Sequence, residues 1–450
     1  MTGIAALVRR LPPPLRAAVE RALEAPDGSR LARGVYWSLV GLVASRGLAL
    51  VANVIAARLL GRPGLGELDM VLNTVSFAGV FAGMGVGTAA TRQVAQMRAA
   101  QPARAGRVIA YATILALVAG TLMAVALALA APWLARSVLA APHLAPALRH
   151  ASPLLLLGAL AGAQQGSLAG FESFKATAAA GAVAAVVYLP LMVLGVSAAG
   201  LDGAVAASVA SLAVTVTLNQ VALGRRAARE GTRIQAGGCL AEGPAVLAIA
   251  VPALCSALLV APVEWAARTL LVHGPGGYAE LGAYNVGNQW YGVVMFIPMV
   301  LAQPLLPVLS EAWTRNGAAE CRRTLVLAMR VNAFVVLPIV LAGCLASPLI
   351  VRIYGPAFEG AWPPLALMLV TAGAVAVQWP IGVFLTAAGR LWYGTAMNVC
   401  WAALYLGLTW LLADRGAAGL AGARLAAYAM LLLWSFAVLA RVPSAAAKGT

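Results

Sequence analysis

Residues able to do chemistry are scarce in this chain, in which only 10% of 450 residues are charged. Arg46 stands out because it lies about twelve residues into a long apolar run, roughly 18 Å along a helix at 1.5 Å per residue. Asn53 follows seven residues later on the same helical face, so a cation and an amide are presented together. A guanidinium in an apolar setting suits charge-assisted hydrogen bonds to an anion, or a structural pairing with a carbonyl or carboxylate. Glu264 and Arg268 stand four apart in another apolar run, the spacing of a helical ion pair. They neutralise each other, or Glu264 is a proton- or cation-responsive group whose partner changes.

A third set is neutral. Asn285, Asn288 and Gln289 fall within one helical turn, and Gln303 returns to the same face five turns on. A stripe of amides suits hydroxyl-rich ligands and equally suits hydrogen bonding between helices. Tyr284, Trp290 and Tyr291 add aromatic surface for stacking on rings or for an interfacial belt. Arg58 lies near a run's end, where it contacts a ligand, snorkels or pairs with Glu67 or Asp69. Arg330, Asn332 and Gln378 are weaker candidates.

Other chemistries find no support. His143, His150 and His273 are scattered over connectors without metal-site or triad spacing. Cys239, Cys255, Cys321, Cys344 and Cys400 show no paired ligand spacing and read as packing residues. No metal and no cofactor is expected. Gly83-Met84-Gly85-Val86-Gly87 lies inside an apolar run with no strand before it, so it is no nucleotide loop; with Gly79 it forms a small-residue stripe for close helix packing.

The elements that must position these groups are membrane helices. The chain is 62% hydrophobic with a mean hydropathy of +0.87, whereas a soluble domain carries roughly a quarter charged residues. Apolar runs long enough for a hydrocarbon core about 30 Å thick recur along it. They fall near 34–60, 67–91, 107–132, 149–170, 176–199, 201–223, 244–272, 280–308, 323–351, 361–386, 390–413 and 418–441. Strand-period alternation is nowhere sustained, which excludes a β-barrel. The expectation is an all-α, polytopic integral membrane protein with twelve transmembrane helices.

The +16 net charge does not mark a nucleic-acid protein, because the cations sit in short connectors. One side collects Arg92, Arg98, Arg104, Arg107, Lys175, Arg225, Arg226, Arg229, Arg233, Arg315, Arg322, Arg323, Arg390, Arg441 and Lys448. The other holds Arg62, Arg136, Arg149, Arg352, Arg415 and Arg424. This bias places both termini in the cytoplasm, as an even number of spans requires. Residues 1–33, rich in arginine and interrupted by Pro12 to Pro14, read as a cytoplasmic amphipathic segment and not as a signal peptide.

An internal repeat divides the spans. Ala56-Ala57-Arg58 closes the first run and Ala266-Ala267-Arg268 the seventh. Gly170 precedes Gly200-Leu201-Asp202-Gly203-Ala204 by 30 positions, and Gly389 precedes Gly419-Leu420-Ala421-Gly422-Ala423 by the same 30, giving offsets of 210 and 219. The expected organisation is two six-helix bundles, 34–223 and 244–441, joined by a basic cytoplasmic linker, 224–243, with a cytoplasmic tail, 442–450. Six spans per half give a parallel repeat.

Several motifs carry a family resemblance. Ala57-Arg58-Leu59-Leu60-Gly61 with Gly64-Leu65-Gly66, then Leu281-Gly282-Ala283-Tyr284-Asn285, Pro304-Leu305-Leu306-Pro307-Val308-Leu309-Ser310-Glu311 and Ile353-Tyr354-Gly355-Pro356-Ala357-Phe358 occur in order over some 300 residues. In this the chain resembles the Wzx-type polysaccharide (O-antigen) flippases of the multidrug/oligosaccharidyl-lipid/polysaccharide (MOP) exporter superfamily. The resemblance implies a central cavity lined by spans one, two, seven and eight, and alternating access. It implies an undecaprenyl-diphosphate type of lipid-linked glycan as substrate in a bacterial inner membrane. Membrane lipids and polysaccharide polymerase or glycosyltransferase machinery follow as partners.

On that basis the cavity residues are Arg46, Asn53, Arg58, Arg268, Asn285, Asn288, Gln289 and Gln303, with Glu264 for ion coupling. Ser45-Arg46 and the twelve-residue step to Arg58 also resemble the related lipid II flippases, whose span-one arginines look toward the substrate's pyrophosphate. Ala52-Asn53 stands where an Arg-Asp pair stands in that pattern, which favours another polyprenyl-diphosphate glycan. A drug/cation antiporter should want an acidic cavity, and the deep charge here is basic. A membrane-embedded glycosyltransferase or polymerase would need clustered carboxylates, whereas Asp202, Glu280, Glu359 and Asp414 are dispersed. The chain is thus expected to be no enzyme.

Overall fold

The computed structural model describes residues 28–83, 85–302, 305, 309, 317–387 and 391–441. Helices account for nearly all of them, and no strand occurs among the described residues. Gln303, most of the Pro304–Glu311 motif, residues 1–27 of the N-terminal segment and the tail lie outside the described residues.

Helix α1 (Gly28–Gly83) is two crossings joined at Gly61, whose φ of 70° and ψ of −178° break the helical path. After Gly85, α2 (Val86–Met97) completes the second crossing. Then come α3 (Pro102–Trp133), which opens on proline, α4 (Ala145–Ala151) and α5 (Pro153–Gly170). Helix α6 (Phe174–Arg229) is again two crossings, broken at Ala199 and Gly200. The second half comprises α7 (Gly243–Ala257), α8 (Ala261–Val272), α9 (Gly277–Ala302), α10 (Gly317–Ile353), α11 (Trp362–Ala387), α12 (Leu391–Leu411) and α13 (Gly416–Arg441). Split at these breaks, and with α7 and α8 forming one interrupted crossing, the segments follow the twelve apolar runs in order. Among the described residues, seven helices are long and apolar enough to cross a membrane by length and composition.

Packing keeps the two sets of six largely to themselves. In the first, α1 lies against α6, α3 against α5 and α5 against α6; in the second, α11 lies against α9, α10 and α13. The sets meet where α1 packs on α9 and α8. The seventh crossing is shared: α7 packs on α2 and α3, while α8 packs on α9, α12 and α13. Val246 and Ala250 of α7 accordingly belong to a small core with Ala89, Val94, Val108, Ile109 and Phe171.

Glycine conformations and contacts share a register of 216, against the 219 and 210 of the two sequence pairings. Gly200 has φ 55° and ψ −126°, and Gly416 has φ 58° and ψ −140°, a left-handed conformation that suits glycine at both turns. Gly200 therefore corresponds to Gly416 and not to Gly419. That offset equals the separation of 216 between Asp69 and Asn285, and Gly66 and Gly282 obey it too. The last two stand where the halves pack backbone to backbone. A Cβ on Gly66 would meet the Tyr278 carbonyl oxygen at 1.9 Å, and one on Gly282 the Arg62 carbonyl oxygen at 1.9 Å.

Candidate functional site

Leu65-Gly66 and Leu281-Gly282 open two crossings that touch, so the residues three further on, Asp69 and Asn285, are brought face to face. The Asn285 amide donates to Oδ1 of Asp69. On the other side of Asp69, Nε of Arg268 donates to Oδ2 at 3.1 Å. Nη1 of Arg268 also reaches Oε2 of Glu264 at 2.8 Å, one turn away on α8. Glu264 does not end there: its Oε1 accepts from Nη2 of Arg424, on α13, at 3.1 Å. The result is a chain of alternating charge, Asp69, Arg268, Glu264, Arg424, with a formal sum of zero.

These four side chains are 10%, 5%, 14% and 7% exposed in that order, so the network is a buried one. Aromatic rings and amides complete it. Nη1 of Arg424 donates to the Tyr284 hydroxyl at 2.8 Å and to the Asn288 carbonyl oxygen at 3.2 Å. The Arg424 guanidinium stands 4.6 Å from the centre of the Tyr291 ring and that of Arg268 5.5 Å from Tyr284, within cation–π range. The Gln289 amide donates to the Asn285 carbonyl oxygen at 2.6 Å, the Tyr354 hydroxyl to the Gln289 carbonyl oxygen at 3.0 Å, and the Trp290 indole to the Tyr354 hydroxyl at 3.1 Å.

The network sits near one end of the molecule. Asp69, Asn285 and Arg424 are each eight residues from Gly61, Gly277 and Gly416, or ~12 Å along their helices. Beyond it, at the same end, further contacts join the halves. Arg62 pairs with Glu280 and donates to the Ala279 carbonyl at 2.8 Å; Nε of Arg58 donates to the Ile353 carbonyl at 2.6 Å; the Tyr278 hydroxyl donates to the Leu139 carbonyl at 2.8 Å. This end is sealed by buried ion pairs below and a ring of polar contacts above.

The residues singled out in the sequence are thereby separated. Arg268, Glu264, Asn285, Asn288 and Gln289 converge in one network. Arg58 lies outside it, exposed, and bonds to a carbonyl instead of to Glu67 or Asp69; Glu67 meets His143 at 2.8 Å. Arg46 is exposed and Asn53 half-buried, and neither joins the network. Asn332 is buried and donates to the Ala376 carbonyl at 2.9 Å, and Arg330 is exposed. Gln303 lies outside the described residues.

Two members escaped the sequence reading. Nearness to Arg58 makes Asp69 a partner for that residue alone, although the shared Leu-Gly-x-x-Asp and Leu-Gly-x-x-Asn patterns mark it. Arg424 was counted with the outer connectors; the structure corrects this, placing it two turns inside α13 as a buried member of the site. Its depth within the run 418–441 was the available signal. Among the described residues no group of His, Cys, Asp or Glu could hold a metal ion.

The polysaccharide biosynthesis protein family matches residues 31–313. The chain belongs to that family. It is similar to the EPS I polysaccharide export inner membrane protein EpsE of Ralstonia nicotianae, at 25% identity over 413 residues, 88% of this chain and 91% of that one. Its fold is that of MOP transporters. It resembles a multidrug resistance MATE family transporter in an inward-facing conformation, with a TM-score of 0.73 at 15% identity over 90% and 98% of the two chains. It also resembles the lipid II flippase MurJ in an inward closed conformation, with a TM-score of 0.70 at 12% identity over 90% and 88%. The relative is named an export protein, and the two solved neighbours are a transporter and a flippase.

Proposed function

We propose that this protein flips a saccharide repeat unit, carried on a polyprenyl diphosphate of the undecaprenyl type, from the cytoplasmic to the outer leaflet of a bacterial inner membrane. The observation that carries this reading is the neutral network of Asp69, Arg268, Glu264 and Arg424, which bridges the halves near the end marked by Gly61, Gly277 and Gly416. Such a junction is what alternating access needs: it holds one face shut and comes apart as a unit when the halves rock. The units that rock are 34–223 and 244–441, with both termini cytoplasmic by the distribution of cations, so the sealed end faces outward. The similarity to EpsE, a polysaccharide export inner membrane protein, supports a glycan cargo.

In this scheme Arg46, which is exposed and makes no ion pair among the described residues, meets the diphosphate from the cytoplasmic side. Asn53, Arg58 and the amides of α9 accommodate the headgroup on its way, while the prenyl chain stays in lipid. Polysaccharide polymerase and glycosyltransferase machinery would stand on either side of this step. Depletion of the protein should cause lipid-linked repeat units to accumulate in the inner leaflet while the exported polymer falls. Unchanged distribution of the lipid-linked intermediate would refute the proposal.

A further inference from the structure

Glu264 holds an unusual post: its two carboxylate oxygens are divided between two arginines from different helices, Arg268 at 2.8 Å and Arg424 at 3.1 Å. Two guanidiniums that share one carboxylate also have the donor geometry to share a phosphoryl group, whose oxygens accept from the same planar forks. Arg424 has a donor to spare, because its Nε is buried without a hydrogen-bond partner among the described residues. A buried, unpaired donor on a cation is costly, and a ligand with more acceptor oxygens than a carboxylate relieves that cost.

We infer that Arg268 and Arg424 form a diphosphate site whose place is kept, in the sealed state, by the protein's own Glu264, so that substrate opens the outer end by displacing it. The inference rests on the diphosphate cargo proposed above and adds to it a site and a trigger. A diphosphate carries more charge than the single carboxylate it replaces, so it competes for both arginines. Once displaced, Glu264 is a buried carboxylate without its cations, and Asp69 shares Arg268 with the newcomer. Both effects weaken the sealed end. The carboxylates therefore make sealing the resting condition, and cargo of the right charge lifts it. A ligand shifts such an equilibrium only through its preference for one state, and here the preference comes from exchanging anions on the same two cations.

Binding to the purified full chain in lipid nanodiscs tests this with farnesyl diphosphate as the probe and inorganic pyrophosphate as competitor. Glu264→Gln removes the competing charge and should tighten binding about tenfold. Adding Arg424→Gln to Glu264→Gln should abolish the gain. No gain in a Glu264→Gln protein that folds, or a gain that survives loss of Arg424, overturns the inference. Asp69→Asn, which frees Arg268 from its other carboxylate, should shift binding in the same direction and serves if Glu264→Gln does not fold.

A second measurement leaves the network intact. In a cysteine-free background carrying only Ala417→Cys, at a position 1% exposed in the sealed end, farnesyl diphosphate should speed labelling by an impermeant maleimide about fivefold. An unchanged rate overturns the trigger. Should lipid-linked repeat units fail to accumulate on depletion, the flippase reading falls whatever these binding results are. Should they accumulate while Glu264→Gln binds as wild type does, only this inference falls.

Discussion

The two ends of the molecule both use arginine and carboxylate, in opposite circumstances. At the sealed end, Arg268 and Arg424 are buried among helices of both halves. At the other, Glu242 ahead of α7 is clasped by Arg104 at 2.9 Å and Arg107 at 3.3 Å, whose side chains are 43% and 31% exposed. A buried network is costly to leave incomplete, whereas the clasp, although its carboxylate is only 4% exposed, has hydrated cations and contributes less. The difference teaches which junction sets the state: the buried one is near all-or-none, and the clasp only fixes where α7 rides. The packing agrees, since α7 lies on α2 and α3, whereas α8 lies on α9, α12 and α13 as well as on α1.

Removing a cation from the sealed end should have the largest effect. Arg268→Ala leaves Asp69 with only its amide partner and Glu264 with only Arg424, and should cost about 3–5 kcal/mol. Thermal unfolding in nanodiscs checks it, and a loss near zero would mean that water already reaches the site. Gly66→Ala comes next. Its Cβ would meet the Tyr278 carbonyl at 1.9 Å, and backbone cannot yield as a side chain does, so α1 and α9 must part. Faster labelling at Ala417→Cys and a loss of about 1–3 kcal/mol are expected.

Arg46→Ala distinguishes cargo contact from architecture. Arg46 is exposed and unpaired among the described residues, so unfolding should be unchanged while glycan export falls about tenfold, the worth of one charge-assisted contact. Glu242→Gln should do least. The Arg104 hydrogen bond holds the Glu242 carboxyl below the usual carboxylate range, with Arg107 adding to the effect. Its folded value lies under its unfolded one, so the clasp contributes above the unfolded value and is lost as pH falls through the folded one. Wild type should lose this increment only in acid, and Glu242→Gln should show a flatter acid limb in melting temperature against pH.

The sealed end also shows what a linear reading delivers. Twelve crossings were legible because hydrocarbon thickness fixes run length, and Glu264 with Arg268 was legible because helical pairing is local. The Asp69–Arg268 pair spans 199 positions, and only the meeting of Gly66 with Gly282 closes that distance. Arg424 was obscured by its nearness to a connector, since a rule that sorts cations by side does not ask how deep each lies. The two sequence pairings miss the 216 register, Gly200 with Gly419 by three residues and Arg58 with Arg268 by six. In a chain with 46 glycines, Gly-Leu-x-Gly-Ala aligns well by identity, whereas the positive φ shared by Gly200 and Gly416 fixes the correspondence.

The most direct test of the account locks the sealed end. In a cysteine-free background, Arg62→Cys and Glu280→Cys replace an ion pair that crosses between the halves, and a short reducible bis-thiosulfonate reagent bridges them in whole cells. Glycan export should stop on cross-linking and resume on reduction, with either single cysteine unaffected. Export that continues with the bridge intact would contradict the claim that this end must open for cargo to leave.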